Sequence, residues 1–140
     1  YFRSRPIAIQ GDQFAVEWDE NILEAFAGPQ LESWGNVGKK PGEGENLLLR
    51  LSRTKTGLEL GKDELFEVQP GWRHFKVVVS VAKNTFDVYY DKHMKPEATG
   101  VPLQGKIESS DRLGIGFVWY LSPGTSPTKW QVGGISVNSI

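Results

Sequence analysis

Two runs of alternating apolar and polar residues lie next to each other in the middle of the chain. In the first run every second residue is apolar, at Phe75, Val77, Val79 and Val81. In the second run the same alternation places apolar residues at Phe86, Val88 and Tyr90. Because successive side chains of a strand point to opposite faces, each run predicts a half-buried strand. The short segment 82–85 between them predicts an antiparallel hairpin.

Similar strand patterns recur along the chain, separated by turns rich in glycine and proline. The predicted strands are Phe2–Ile9, Phe14–Trp18, Asn46–Arg53, Leu58–Leu60, Leu65–Val68, Arg112–Leu121 and Trp130–Val137, the last with a bulge at Gly133–Gly134. About ten short strands with turn signals roughly every 8–12 residues are typical of an antiparallel two-sheet β-sandwich. We therefore predict an all-β fold.

Three segments interrupt this pattern. Gly28–Glu45 is predicted as a long loop around Trp34, with a short strand at Gln30–Trp34 as the alternative. Asp19–Asn21 is predicted to cap a short helical turn that follows it, and His93–Gly105 is predicted as a connection.

The length and composition fit one globular domain. The chain has 140 residues, and we expect residues 1–140 to form a single domain. The net charge of −1 argues against nucleic-acid binding, which needs a surplus of basic residues. The absence of cysteine excludes disulfides and thiolate metal sites, and no apolar run approaches the roughly 20 residues of a membrane span. Because the sequence begins at Tyr1 without an initiator methionine or signal peptide, we expect a domain excised from a larger protein.

An acidic cluster early in the chain is the first candidate for catalysis. Glycan hydrolysis uses two carboxylates that face one cleft, so Glu17, Asp19 and Glu59 are the residues to consider. The alternative is a strand whose polar face meets solvent. His74, expected on the outer side of its strand, and His93 match no catalytic triad or zinc spacing. We therefore assign no catalytic residue.

Several ordered segments carry a likeness to a known superfamily. They are Phe14–Trp18, Trp72–Phe75 with Phe86–Asp91, Leu113–Gly116 and Gly134–Val137. In this order and spacing they resemble the LamG-like jelly rolls of the concanavalin A-like lectin and glucanase superfamily. One departure is that Lys92 follows Asp91, where the family usually has glycine. The resemblance implies two packed antiparallel sheets, and the members include carbohydrate-binding modules, protein-binding modules and glycan-cleaving enzymes.

The resemblance also bears on catalysis and on metal binding. The glucanases of this superfamily use the motif Glu-x-Asp-x(x)-Glu, and Glu17 and Asp19 fit its first two positions. Asn21 or Ile22 would occupy the third position, and neither can act as an acid or a base. Lectin-like sandwiches often hold one structural Ca²⁺ through oxygen ligands, so calcium is a possible cofactor although none is required. The candidate ligands are Asp12, Asp19 and Asp111, with Asp91 and Asn138 also of suitable type.

Five tryptophans and four tyrosines are a high aromatic content for one small domain. An exposed ring offers a flat surface for the apolar face of a sugar, while polar neighbours bond the hydroxyl groups. Trp18 and Trp72 are predicted to lie in the core. The candidate ligand-binding residues are Trp34, Tyr89, Tyr120, Trp130, Arg50 and Glu17. The alternative for each ring is packing beneath a loop.

We therefore expect a non-catalytic carbohydrate-binding module that recognises a polysaccharide or oligosaccharide by aromatic stacking and polar contacts. We expect it in a secreted or cell-surface protein, without a nucleic-acid or membrane partner. Two alternatives use the same fold, namely a small glycan hydrolase or lyase, and a protein-interaction or scaffold domain. The sequence leaves open which glycan is bound and what the oligomeric state is.

Overall fold

The chain is a β-protein throughout the part that the computed structural model describes, which comprises residues 2–3, 7–8, 11–22, 30–35, 46–53, 57–60, 63–107, 112–118 and 131–139. No helix occurs in these ranges. The strands are β1 (Phe2–Arg3), β2 (Ile7–Ala8), β3 (Gln13–Ile22), β4 (Gln30–Gly35), β5 (Asn46–Arg53), β6 (Gly57–Leu60), β7 (Asp63–Glu67), β8 (Gly71–Ser80), β9 (Thr85–Tyr90), β10 (Ala98–Pro102), β11 (Arg112–Val118) and β12 (Gln131–Ser139).

The strands form two antiparallel sheets, as the alternation predicts. The five-stranded sheet, called the front sheet below, has the order β10-β9-β8-β3-β12. The seven-stranded back sheet has the order β1-β11-β4-β5-β6-β7, with β2 also paired to β11. Every pairing in both sheets is antiparallel. The predicted two-sheet β-sandwich is therefore confirmed.

The hydrophobic core joins the two sheets. Its buried members in the front sheet include Phe14, Val16, Trp18, Phe75, Val77, Val79, Phe86 and Val88, and those in the back sheet include Leu49, Leu51, Leu58 and Leu113. In the β8–β9 hairpin Phe75 lies opposite Tyr90 and Val77 lies opposite Val88. Trp18 stacks on Phe75 with ring centroids 5.2 Å apart. Burying each such side chain contributes about 1.5–3 kcal/mol, so these apolar faces hold the sandwich together.

A buried ion pair also joins the sheets. Glu20 is 2% exposed on β3 of the front sheet, and Arg53 is 3% exposed at the end of β5 in the back sheet. The Arg53 guanidinium donates through Nε to a carboxylate oxygen of Glu20. Because Glu20 continues the inward-facing series of Phe14, Val16 and Trp18, its charge lies in the core and needs this partner.

Two predicted segments differ from the structure. The helix cap predicted at Asp19–Asn21 is wrong, because β3 continues to Ile22 and pairs with β8 on one side and β12 on the other. The connection predicted at His93–Gly105 contains the edge strand β10. Proline is tolerated at a sheet edge, and the register of β10 shifts between Ala98 and Val101, so its pattern is hard to recognise in the sequence.

Two other predictions about strands are confirmed. The alternative strand at Gln30–Trp34 is present as β4, inside the segment whose first interpretation is a long loop. The bulge predicted in the last strand is present, because the register of β12 on β3 shifts between Gly133 and Ser136. Gly134 has a φ of 56° there, in the left-handed region that glycine adopts without strain.

Candidate functional site

Three neighbouring strands of the front sheet, β3, β8 and β9, place polar side chains on the face that points away from the core. The buried positions of β8 and β9 fall on alternate residues, so the residues between them face outward. Asp19 lies opposite His74, and Glu17 lies opposite Lys76. Lys76 in turn lies opposite Tyr89. The register therefore gathers acidic, basic and aromatic groups on one surface, the outer face of the front sheet.

His74 lies between two carboxylates on this face. Its Nδ1 is 2.8 Å from Oδ1 of Asp19, and its Nε2 is 3.0 Å from Oε1 of Glu17. The imidazole is 17% exposed, whereas the Asp19 side chain is 47% exposed. A neutral imidazole donates from one nitrogen only, while the protonated ring donates to both carboxylates. The protonated ring therefore fixes both carboxylates and the neutral ring fixes one, and the carboxylates still have oxygen lone pairs that can accept hydrogen bonds from a ligand.

The indole of Trp72 is exposed beside this cluster. Trp72 is 56% exposed and lies two residues before His74, on the same side of β8. A cavity of about 430 Å³ opens next to it. Its lining residues are Asp19, Trp72, Arg73, His74, Asp91 and Lys92. A volume of this size accommodates a small organic molecule, and the cavity combines one exposed aromatic ring with charged hydrogen-bonding groups.

The prediction that Trp72 lies in the core is therefore wrong. Phe75 is fully buried, and side chains alternate along a strand, so His74 and Trp72 both point away from the core. Trp18, by contrast, is 2% exposed, as predicted. The hydrophobic character of Trp72 favours the core, but its position in the alternation decides its side of the strand.

A tight turn after β9 forms one wall of the cavity. His93 N–H donates to the Tyr90 carbonyl at 3.1 Å, and the two residues between them, Asp91 and Lys92, have φ angles of 54° and 59°. Two successive positive φ angles are typical of a type I′ turn. Asp91 is held there by Arg73, whose Nη1 donates to Oδ2 at 2.8 Å. The turn thus keeps Lys92 at the rim of the cavity, at a cost in backbone strain of about 1–3 kcal/mol for each such residue.

Arg73 is itself anchored to the loop before β8. Its Nη2 donates to the Pro70 carbonyl at 2.7 Å, and its Nε lies 3.1 Å from the carbonyls of both Gln69 and Pro70. The guanidinium therefore connects this loop to the Asp91 turn. Such a network restricts the side chains that line the cavity before any ligand arrives.

A second cavity of about 300 Å³ adjoins the first. Its lining residues are Glu17, His74, Lys76, Tyr89, Lys92, His93 and Met94. It shares His74 and Lys92 with the first cavity. The Lys76 ammonium lies 5.8 Å from the centroid of the Tyr89 ring, within the range of a cation–π contact. Met94 is 96% exposed at its rim.

The structure brings together only part of the predicted ligand-binding set. Glu17 and Tyr89 lie on the outer face of the front sheet, as the alternation predicts. Trp34 lies in β4 and Arg50, which is half-buried, lies in β5, so both belong to the back sheet and do not share that face. Tyr120 lies outside the described residues. Trp130 and Asp111 also lie outside them.

The candidate catalytic and metal-binding carboxylates are dispersed. Glu59 lies in β6 of the back sheet, away from Glu17 and Asp19. Asp12 accepts a hydrogen bond from Ala82 N–H at 2.8 Å, at the opposite end of β3 from Asp19. Within the ranges that the structure describes, no group of three or more acidic or histidine side chains is arranged to hold a metal ion. The calcium site stays a prediction.

Sequence reasoning missed the binding potential of Trp72, Lys92 and Met94. Counting positions outward from Phe75 would have placed Trp72 on the outer face. Lys92 lies where the resemblance described above implies glycine, and this departure is the signal that could have indicated an unusual turn. Met94 carries no signal in the sequence that points to a site, because its location depends on how the chain leaves that turn.

The fold, but not a family, is supported by comparison with known proteins. Neither protein-family models nor curated proteins give a match to the sequence. The solved structure of a sialidase resembles this chain with a TM-score of 0.51 and 14% sequence identity. The match covers 91% of this chain and 13% of that chain, so this chain spans only a small part of that protein's length. At this identity the likeness shows the β-sheet fold alone.

The described strands and loops contain no helix long and apolar enough to cross a membrane.

Proposed function

We propose that this chain is a non-catalytic carbohydrate-binding module of the LamG-like, concanavalin A-like type, and that it binds its glycan on the outer face of the front sheet. The observation that carries the proposal is the exposed indole of Trp72 beside a cavity lined by carboxylates, a guanidinium and an ammonium group. The site differs from the predicted set, because its exposed indole belongs to Trp72, which is not among the predicted ligand-binding residues.

The chemistry of the site suits a sugar. The apolar face of a pyranose ring packs on the indole, and the hydroxyl groups meet the carboxylates of Asp19 and Asp91 and the ammonium of Lys92. His74 and Arg73 hold the two carboxylates in place, which lowers the entropy lost on binding. The cavity is open, so we expect modest affinity. A glycan-related role is compatible with the likeness of the fold to a sialidase, and we propose a secreted or cell-surface parent protein.

A glycan array followed by calorimetry on the hits tests the proposal. The key variant is Trp72→Ala, which removes the aromatic surface without disturbing the core. The control is Lys83→Ala, because Lys83 lies in the turn between β8 and β9 and lines a separate cavity beside Thr85 and Asp87. We expect Trp72→Ala to weaken binding about tenfold or more, which corresponds to about 1.4 kcal/mol, and Lys83→Ala to bind normally. An array on which no glycan binds would favour the protein-interaction alternative. Wild-type affinity in Trp72→Ala would show that the glycan does not bind at the proposed site.

Glycan cleavage is the second candidate function, since Glu17 and Asp19 flank one imidazole on a solvent-accessible face. A hydrolase needs one carboxyl group as acid and the other as nucleophile or base. Incubation of each array hit with the protein distinguishes the two functions. New reducing ends would indicate a hydrolase and unsaturated products a lyase, in both cases abolished by Glu17→Gln. Binding without any product supports the non-catalytic module.

A further inference from the structure

We infer that the site accommodates a segment of an uncharged oligosaccharide, at least two sugar units long, that spans both cavities on the outer face of the front sheet. This inference rests on the proposed function and specifies its ligand. It differs from binding of a single terminal sugar beside Trp72.

The two cavities adjoin each other, and together they are called the groove. The first has a volume of about 430 Å³ and the second of about 300 Å³, and each falls within the size range of small-molecule sites. His74 and Lys92 line both, so a ligand can pass from one to the other across these two side chains. Trp72 belongs only to the first cavity and Met94 only to the second.

Each cavity has its own apolar surface. In the first it is the indole of Trp72, which is 56% exposed. In the second it is the thioether of Met94, which is 96% exposed, next to the ring of Tyr89. Trp72 and Met94 are the large hydrophobic side chains that stand most exposed in the described part of the chain. Their location in two adjoining cavities fits a ligand that presents successive apolar ring faces.

The charges along the groove favour an uncharged ligand. Its carboxylates are Glu17, Asp19 and Asp91, and its cationic groups are Arg73, Lys76 and Lys92. The three carboxylates equal the three Lys and Arg groups in number, so neither sign predominates among these side chains. Several of these charged groups already have a partner within the protein, since Arg73 donates to Asp91 and the Lys76 ammonium lies over the Tyr89 ring. A polyanionic glycan would meet three carboxylates, whereas hydroxyl groups can donate to the carboxylates and accept from the cations.

Chain length is the variable that tests this inference. The probes are neutral gluco-, manno-, xylo- and galacto-oligosaccharides, each from monosaccharide to hexasaccharide, with oligogalacturonides as anionic comparison. We expect calorimetric affinity in one neutral series to rise about tenfold from the monosaccharide to the trisaccharide and then to level off. We also expect little change in that affinity when NaCl is raised from about 0.05 M to about 0.5 M.

Variants at the two ends separate the cavities. Met94→Ala should bring the ratio of trisaccharide to monosaccharide affinity close to one, while Met94→Leu, which keeps the apolar surface, should restore most of the ratio. Trp72→Ala should weaken the binding of both the monosaccharide and the trisaccharide. Equal affinity for monosaccharide and trisaccharide, an unchanged ratio in Met94→Ala, or preference for the oligogalacturonides would overturn the inference and leave the proposed function standing. If neither the probes nor any glycan on the array bound the protein, the proposed function itself would be wrong.

Discussion

His74 Nδ1 lies 2.8 Å from Oδ1 of Asp19, and the two residues face each other directly across the β3–β8 pair. Directly opposed side chains on a sheet surface interact most strongly when their chemistry is complementary. The pair therefore holds a carboxylate at the edge of the larger cavity, where a ligand would otherwise have to order it.

Replacing His74 by alanine should reduce both the glycan affinity and the stability of the fold. The substitution removes the contacts that hold Asp19 and Glu17, each worth about 0.5–1.5 kcal/mol. We expect binding about 3- to 10-fold weaker in calorimetry and an unfolding free energy lower by about 1 kcal/mol in urea titration. His74→Gln, which retains a donor, should give an intermediate affinity. Wild-type affinity in His74→Ala would show that the carboxylates do not need this support.

Truncation of the two tryptophans on neighbouring strands should change stability by very different amounts. Trp18→Ala creates a cavity in the core and should lower the unfolding free energy by about 3–5 kcal/mol. Trp72→Ala removes an exposed ring and should change it by no more than about 0.5 kcal/mol. Urea denaturation followed by circular dichroism measures both. A large loss of stability in Trp72→Ala would indicate that Trp72 has a structural role instead.

The ion pair between Glu20 and Arg53 should be costly to break from one side. Glu20→Gln removes the carboxylate charge that faces the Arg53 guanidinium in the core, and we expect a loss of about 3–5 kcal/mol. The double variant Glu20→Leu with Arg53→Met removes both charges and should recover most of that loss. We therefore expect a double-mutant cycle, measured by urea denaturation, to show strong coupling between the two side chains. If the losses of unfolding free energy were additive, the two side chains would act independently.

Alternation alone predicted the fold and half of the site. It placed Phe75, Val77, Phe86 and Val88 between two sheets, and it placed Tyr89 on the outer face. Those predictions depend only on positions within one strand. For the same reason the series from Phe14 to Trp18 could have predicted that the next inward residue, Glu20, is buried, but its charge suggested a turn.

Predictions failed where strand register depends on distant residues. Regular alternation from Leu51 and Leu49 would place Leu47 in the core as well, but Leu48 is 1% exposed and Leu47 is only partly buried. The cause is a shift in the β4–β5 register between Ser33 and Trp34. The placement of Asp19 and Glu17 around His74 likewise depends on the pairing of β3 with β8, because both carboxylates are more than 50 residues from His74 in the sequence. Local patterns do not encode such pairings.

Tyr90 should give stability an alkaline dependence. Burial raises the pKa of its phenol, while Gln69 N–H, which donates to the hydroxyl at 2.8 Å, opposes this in part. A raised pKa in the folded state stabilises the protein fully below the unfolded value of about 10, and the stabilisation is lost as pH rises through the folded pKa. Wild-type unfolding free energy should therefore fall more steeply above about pH 10 than that of Tyr90→Phe. Parallel profiles in urea titrations across this range would contradict the prediction.

Lys92→Gly should strengthen the fold and weaken binding at the same time. Lys92 has a φ of 59°, which is unfavourable for an L-residue by about 1–2 kcal/mol, and glycine adopts this conformation without a Cβ contact. After allowance for the greater backbone entropy of unfolded glycine, we expect a gain of about 1 kcal/mol in urea titration. The same change removes an ammonium that lines both cavities, so glycan affinity should fall several-fold.

Lys92→Asn is the matched control, because asparagine tolerates a positive φ but also lacks the ammonium. It should show the same loss of affinity with a smaller gain in stability. If Lys92→Gly were more stable yet bound normally, the strained turn would serve only to close the hairpin, and Lys92 would have no part in the site.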